Sequence, residues 1–341
     1  MKTLCLWYAS EDERTMIRSA LPDGCEVIAP QGQYLSRLDC DLDDVKHLAP
    51  GADAIIGLSV PDGLFDYTEK LKVFSWMHSG CDDLRLMGAF ERFKQRGVKL
   101  ANIRGSNAVA VAEHAMMFVL ALAKKTLFKH TQMNEGRLVF PNYAETQSSM
   151  LQGRTLCVIG LGNIGGRIAR HAKAFDMHVL GVRRRSGEPV ENVDAVYGVD
   201  DLLDIFPRCD YIIVAAPNTK ETNNLIGKDE LAAMKKTAFL VNVSRSGLIQ
   251  EKPLYDALTS GGLAGFAADV WWQYGFGHTF PASGLGSRLG VHKLPNVLTS
   301  NDQAANAEDV LQRNIEWGTE NLVEFFAGKP MQREVNLELG Y

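Results

Sequence analysis

Much is scarce in these 341 residues. No apolar run reaches the ~18 residues that a membrane-crossing helix needs, so a membrane protein is not expected. The net charge is −5 and the pI is near 5.9; the positive excess that nucleic acid or an anionic membrane would attract is missing. The six cysteines (5, 25, 40, 81, 157, 209) are scattered and form no Cys-x-x-Cys pair. That argues against a disulfide framework and a zinc site, and for reduced thiols in a cytoplasmic protein. The histidines show no metal-ligand spacing, so no metal is expected. Low-complexity segments and clear repeats are lacking too. The start, Met1-Lys2-Thr3-Leu4-Cys5-Leu6-Trp7, mimics a secretion signal but is too short, and Glu11-Asp12-Glu13 stand where a cleavage region would be. It reads as a first β-strand. The rest is ordinary for a soluble globular chain long enough for two domains.

What is present is densest between Thr155 and Gly165. The apolar run Thr-Leu-Cys-Val-Ile leads into Gly160-Leu161-Gly162-Asn163-Ile164-Gly165. A helical segment, 166 to 175, follows, then a second apolar run, Met177 to Val182. Strand, glycine turn, helix, strand is the context in which Gly-x-Gly-x-x-Gly marks a dinucleotide site. Gly160 allows the tight turn, Gly162 lets the backbone approach a pyrophosphate, and Gly165 lets helix and strand pack closely. The first N–H groups of the helix then bind the phosphate charge. An NAD site needs a carboxylate about 20 residues past the glycines, for the ribose hydroxyls. Here Arg183-Arg184-Arg185-Ser186 stand at that place. A guanidinium fork binds the 2′-phosphate that a carboxylate would repel. NADP(H) is therefore the expected cofactor, with NAD(H) the alternative.

The chain alternates strands and helices throughout. Leu4–Trp7, Ala54–Leu58 and Val73–Met77 read as strands, and Leu84 to Arg96 as a helix stopped by Gly97. Ala108 to Lys125 is apolar nearly all round, which predicts burial at a domain or subunit interface. Tyr211–Ala215, Ala238–Val243 and Leu263–Val270 are further strands, ending at Pro217, at Ser244-Arg245 and at Trp271-Trp272. Such alternation predicts parallel sheets with right-handed crossovers, and ligands beyond the carboxyl ends of the strands. Gln303 to Phe326 reads as a last long helix, and 273 to 294 as a binding loop or lid.

The order of motifs resembles the D-isomer-specific 2-hydroxyacid dehydrogenases, the family of phosphoglycerate, glyoxylate and formate dehydrogenases. The resemblance lies in Asn107-Ala-Val-Ala-Val-Ala-Glu113-His114, in Gly160 to Gly165, and in Ala216-Pro217-Asn218-Thr219 through Thr222. It continues in Val241-Asn-Val243-Ser-Arg245-Ser-Gly247 and in Asp269-Val270. It implies an α/β fold of two Rossmann-like domains with doubly wound parallel sheets. The cofactor domain, 104–301, would be inserted into a discontinuous substrate domain, 1–103 and 302–341. It also implies a homodimer and a small anionic substrate. The cofactor would lie on Gly160, Gly162, Asn163, Ile164, Gly165, Arg183 to Ser186, Ala216, Pro217, Thr222, Val243 and Asp269. The substrate side would be Ser79, Gly80, Arg104 and Asn107, with Trp76, Trp271 and Trp272 as possible walls.

The family reaction uses an arginine on the substrate carboxylate and ketone, a histidine that delivers a proton, and an acid that holds the histidine. Arg245 matches the first. At the other two positions the sequence departs from the family, with Tyr274 in place of the acid and Asn301 in place of the histidine. Asparagine donates a hydrogen bond but delivers no proton at neutral pH. Three readings stay open. Tyr274, Asp302, His278 or His292 supplies the proton; solvent or substrate supplies it; or the protein binds nucleotide without turnover. The expected function is NADPH-dependent reduction of a small 2-oxoacid to a D-2-hydroxyacid. The alternative is a nucleotide-sensing protein on the same scaffold. His114 resembles a structural family residue.

Overall fold

A computed structural model describes residues 1–32, 36–137, 143–184, 187–272 and 286–340. The chain divides into two compact units, 1–107 with 307–340 and 108–272 with 286–306. The junctions fall after residues 107 and 306, a few residues beyond the 103 and 301 read from the sequence.

The first unit holds β1 (Lys2–Cys5), β2 (Glu26–Ile28), β3 (Ala54–Gly57), β4 (Val73–Trp76) and β5 (Lys99–Ala101). They form a parallel sheet in the order β2-β1-β3-β4-β5. Successive side chains on a strand face opposite sides, and the packing follows this. Leu4, Ile55, Phe74 and Leu100 join one apolar cluster; Cys5, Ile56, Val73 and Ala101 join the other. Helix Val310–Phe326 covers the second face. Its Gly318 lies so close that a Cβ there would stand 2.9 Å from Ile56 Cδ1.

The second unit adds β6 (Thr155–Ile159), β7 (His178–Val182), β8 (Ala195–Tyr197), β9 (Tyr211–Val214), β10 (Phe239–Asn242), β11 (Gly265–Ala268) and β12 (Val297–Thr299). The order β12-β11-β10-β9-β6-β7-β8 is parallel throughout, so the chain reverses its direction of winding between β6 and β9. Both units are thus doubly wound α/β sheets. Helix Ala108–Lys124 packs against helix Asn163–Ala174 and the sheet, burying Val111, Ala115, Phe118, Val119 and Leu122.

Among the elements whose bounds differ from the sequence reading, three helices stand out. The helix read over Leu84 to Arg96 is two, Asp82–Leu86 and Ala89–Arg96, because Gly88 has φ +74°. The apolar helix ends at Lys124; Lys125, at φ +52°, turns the chain into a second helix, Thr126–Asn134. The last helix starts at Val310 and not Gln303. Asp302 and Asp309 sit at φ +56° and +63°, outside the right-handed helical region.

Among the described residues, no helix is long and apolar enough to cross a membrane. All six cysteines are buried, and none is in a disulfide.

Candidate functional site

Because the second sheet is parallel, every strand delivers its carboxyl-end loop to the same edge. The contacts along that edge form a continuous series. Gly160 has φ +96°, and a Cβ on it would stand 2.7 Å from the Ala216 backbone that follows β9. Ala216 O accepts the Ser244 hydroxyl at 2.7 Å, from the turn after β10. Asp269, after β11, donates its N–H to Asn242 O at 3.1 Å, and Ser300, after β12, donates to Ala268 O at 3.0 Å. Motifs spread over some 140 residues are in this way side by side.

The glycine loop has the shape a dinucleotide requires. A Cβ on Gly165 would lie 1.8 Å from Gly160 O, so only glycine permits this helix-to-strand approach. Gly162 precedes helix Asn163–Ala174, no side chain caps that helix, and a Cβ on Gly162 would meet nothing within 4 Å. An open, uncapped helix start is where a pyrophosphate binds. Asn163 is exposed and Ile164 half-buried beside it. At the end of β7, the Arg183 guanidinium bonds the Glu188 carbonyl and carboxylate at 3.2 and 3.1 Å. Arg184 is exposed. Arg185 and Ser186 lie outside the described residues.

The turn after β9 is knitted by its threonines. Thr222 Oγ1 donates to Pro217 O at 2.6 Å and accepts from Thr219 N at 2.8 Å. Pro217 is exposed above buried Ala216, and Val243 is buried with its N–H on Val214 O. Arg245 is half-buried in the turn after β10. Buried Asn242 holds that turn, donating to Arg245 O at 2.9 Å and accepting from Ser244 N at 3.0 Å. The Arg245 Nη1 donates to Ser244 O at 3.0 Å. Asn242 and Ser244 were not singled out from sequence; two polar residues ending an apolar strand are the signal that marks them.

The Asp269 carboxylate, 5% exposed, is an anchor for the following segment. It accepts the Ser300 hydroxyl, Gln303 N–H at 2.9 Å and Ala304 N–H at 2.9 Å. Its backbone O accepts Asp302 N–H at 2.8 Å. His114 Nε2 lies 2.9 Å from Ser300 Oγ, and Trp271 Nε1 donates to Ser300 O at 2.7 Å. Asn301, exposed, is clamped between these fixed neighbours. Burial holds the His114 pKa below the usual imidazole range, against the opposing pull of Asp269. Trp271 is 2% exposed, and Trp272 Nε1 donates to Ile249 O at 2.9 Å. His292 packs edge-on against Trp271. Tyr274 and His278 lie outside the described residues.

In the first unit, Ser79 Oγ donates to Asn107 Oδ1 at 3.3 Å, and buried Asn102 donates to Ser79 O at 2.8 Å. Trp76, buried, donates its Nε1–H to Gly80 O at 2.8 Å. Ser79, Gly80 and Asn107 are thus together. Arg104 is tied elsewhere, to the carbonyls of Gln332 at 2.8 Å and Glu334 at 3.5 Å, which gives it a structural task. Among the described residues, no group of three metal-ligating side chains occurs.

Known proteins share this architecture. A D-3-phosphoglycerate dehydrogenase of Methanocaldococcus jannaschii is 33% identical over 73% of this chain, and the chain spans 47% of that protein, about half its length. A glyoxylate reductase of Korarchaeum cryptofilum is 29% identical over 84% of this chain and 83% of its own length. A solved acyclic imino acid reductase in complex with NADPH and D-Arg overlays with TM-score 0.79 at 21% identity, over 98% of this chain and 100% of that one. The NAD binding domain of the D-isomer specific 2-hydroxyacid dehydrogenases matches residues 116–301, which span the glycine loop, Arg245 and Asp269. With that match over more than half its length, the chain belongs to the D-isomer specific 2-hydroxyacid dehydrogenase family.

Proposed function

We propose that this protein is an NADPH-dependent reductase of a small 2-oxoacid or related oxo-anion, forming a D-2-hydroxyacid, and that it works as a cytoplasmic homodimer. The observation that carries the reading is Arg245, held by Asn242 and Ser244 on the same sheet edge as the uncapped glycine loop. A guanidinium there grips a carboxylate and polarises the neighbouring carbonyl. Ser79, Gly80 and Asn107 are assigned to the substrate; Gly160 to Gly165, Ala216, Pro217, Thr222, Val243 and Asp269 to the nucleotide. When bound, the nicotinamide supplies a hydride. Related enzymes named for glyoxylate and phosphoglycerate support a small anionic substrate. Turnover of NADPH with a panel of 2-oxoacids tests the reading; binding of NADPH with no oxidation by any of them would overturn it. That result would favour a second reading, a nucleotide sensor, which draws support from Asn301 at the place of the family's proton donor.

The cofactor preference is proposed from Arg183 and Arg184, at a strand end that lacks the ribose-binding carboxylate. Glu188, which pairs with Arg183, must yield it to a 2′-phosphate. NADPH is expected to bind at least tenfold more tightly than NADH, about 1.4 kcal/mol, and Arg183→Asp to abolish the difference. Equal Kd values for the two nucleotides by calorimetry would contradict the assignment.

A further inference from the structure

We propose that the preferred substrate is the protonated imine of a 2-oxoacid, formed with an amine, and not the free ketone. The inference rests on the reading of the chain as an NADPH-dependent reductase of 2-oxo anions. Reducing a ketone creates an alkoxide, which needs a proton as it forms. The segment after position 301 is pinned to the Asp269 carboxylate through the Gln303 and Ala304 N–H groups, and the residue placed at 301 is an amide, not an acid.

Among the described residues, the neighbouring network does not make up for this. Asp269 accepts three hydrogen bonds, two of them from backbone N–H groups, so it acts as an acceptor-only carboxylate. Ser300 has one hydroxyl proton and gives it to Asp269. Ser300 Oγ must then accept from His114, which fixes His114 as the Nε2–H tautomer. The protons of this chain run inward and end on a buried carboxylate, away from exposed Asn301. The other described imidazole close by, His292, has its Nδ1 buried and its ring against Trp271. His114, Asp269 and His292 are thus clamps and packing, not a route for a proton to position 301.

An iminium, R–C(=NHR′)⁺–COO⁻, needs no such route. Hydride from NADPH forms the new C–H bond. The C=N π pair becomes the nitrogen lone pair, and NADP⁺ leaves with the neutral amine. Charge balances without an enzyme acid, and the amine afterwards takes its proton from water. Arg245 retains the carboxylate. Asn301 suits the cation: its Oδ1 accepts from an iminium N–H, where an imidazolium would set like charge against like. Asp302, one residue on, adds a carboxylate to the same segment.

The test is NADPH oxidation with glyoxylate, pyruvate and phenylpyruvate, each with and without methylamine, and identification of the product by mass spectrometry. At least one oxoacid is expected to react tenfold or more faster with methylamine, giving the N-methylamino acid. Asn301→His is expected to shift the imine-to-ketone rate ratio at least tenfold toward the ketone. Calorimetry gives a second readout: the NADP⁺-saturated protein should bind N-methylalanine at least fivefold more tightly than lactate. Equal or faster reaction without amine, with hydroxyacid as product, overturns the imine inference and leaves the reductase reading standing. No oxidation with any mixture, while NADPH still binds, overturns both.

Discussion

Arg245 and His114 are both cationic residue types near one sheet edge, yet their surroundings set them to different tasks. Arg245 is half-buried at the mouth of a turn, with its own backbone held by Asn242. Its guanidinium donates to the Ser244 carbonyl, in the turn after β10. Arg245→Ala is therefore expected to lower the reduction rate by ~10²-fold or more and to leave the NADPH Kd nearly unchanged. Rates and Kd measured on the same variant check this; a large loss of nucleotide affinity with kcat intact would show that Arg245 serves the phosphates. His114 is held neutral by burial while it donates to Ser300. Its folded pKa lies below its unfolded value, near 6.5, so the unfolded chain takes up the proton first. The stability this neutral form contributes is present above about pH 6.5 and is lost as pH falls below it. His114→Gln keeps a donor for Ser300 and does not titrate. Its Tm should fall less than the wild type's between pH 7 and pH 5.5, by a few degrees; parallel Tm curves would contradict the assignment.

At the scale of elements, the glycine loop separates folding from binding within six residues. A methyl group on Gly165 would lie 1.8 Å from Gly160 O, a contact that nothing short of moving the helix relieves. On Gly162 it meets open space. Gly165→Ala is therefore expected to lower Tm sharply or prevent folding. Gly162→Ala should melt within a few degrees of the wild type and yet lose tenfold or more in NADPH affinity, because the methyl stands where the pyrophosphate approaches. Circular dichroism melts and fluorescence titration decide it; equal effects of the two substitutions would remove the distinction. These elements were legible because their signals are local. Short apolar runs became β6, β9 and β10, and the helix read from 166 starts three residues earlier, at Asn163 within the glycine motif. The segment 303–309 was not legible as irregular. Its helical pattern is interrupted at Asp309, whose φ of +63° lies outside the right-handed helical region, so the helix starts only at Val310. Short strands such as Glu26–Ile28 and Lys99–Ala101 gave no run long enough to stand out and exist through their pairing with β1 and β4.

At the scale of the whole molecule, the late position of the glycine motif was the informative signal. It implies that about a hundred residues of another unit come first, and the chain does return to that unit after residue 306. The helix read as apolar nearly all round has two different apolar sides. Val111, Ala115, Phe118, Val119 and Leu122 are in the core of the second unit. Val109 and Met117 on the same helix remain exposed, as do Leu127, Phe128 and Met133 on the helix that follows and Met150 beyond it. Six large apolar residues left in water, five of them on two successive helices, exceed the scattered exposure usual on a monomer, and such a patch marks an association surface. A second copy of the chain is the proposed occupant, since an isologous contact lets one self-complementary patch cover itself. Light scattering at micromolar concentration is expected to give twice the 37.6 kDa of one chain. Met117→Lys with Phe128→Glu should give the monomer mass with the fold retained, because both side chains are already outside the core. A monomeric wild type would overturn the proposal, and so would a doubly substituted protein that stays dimeric.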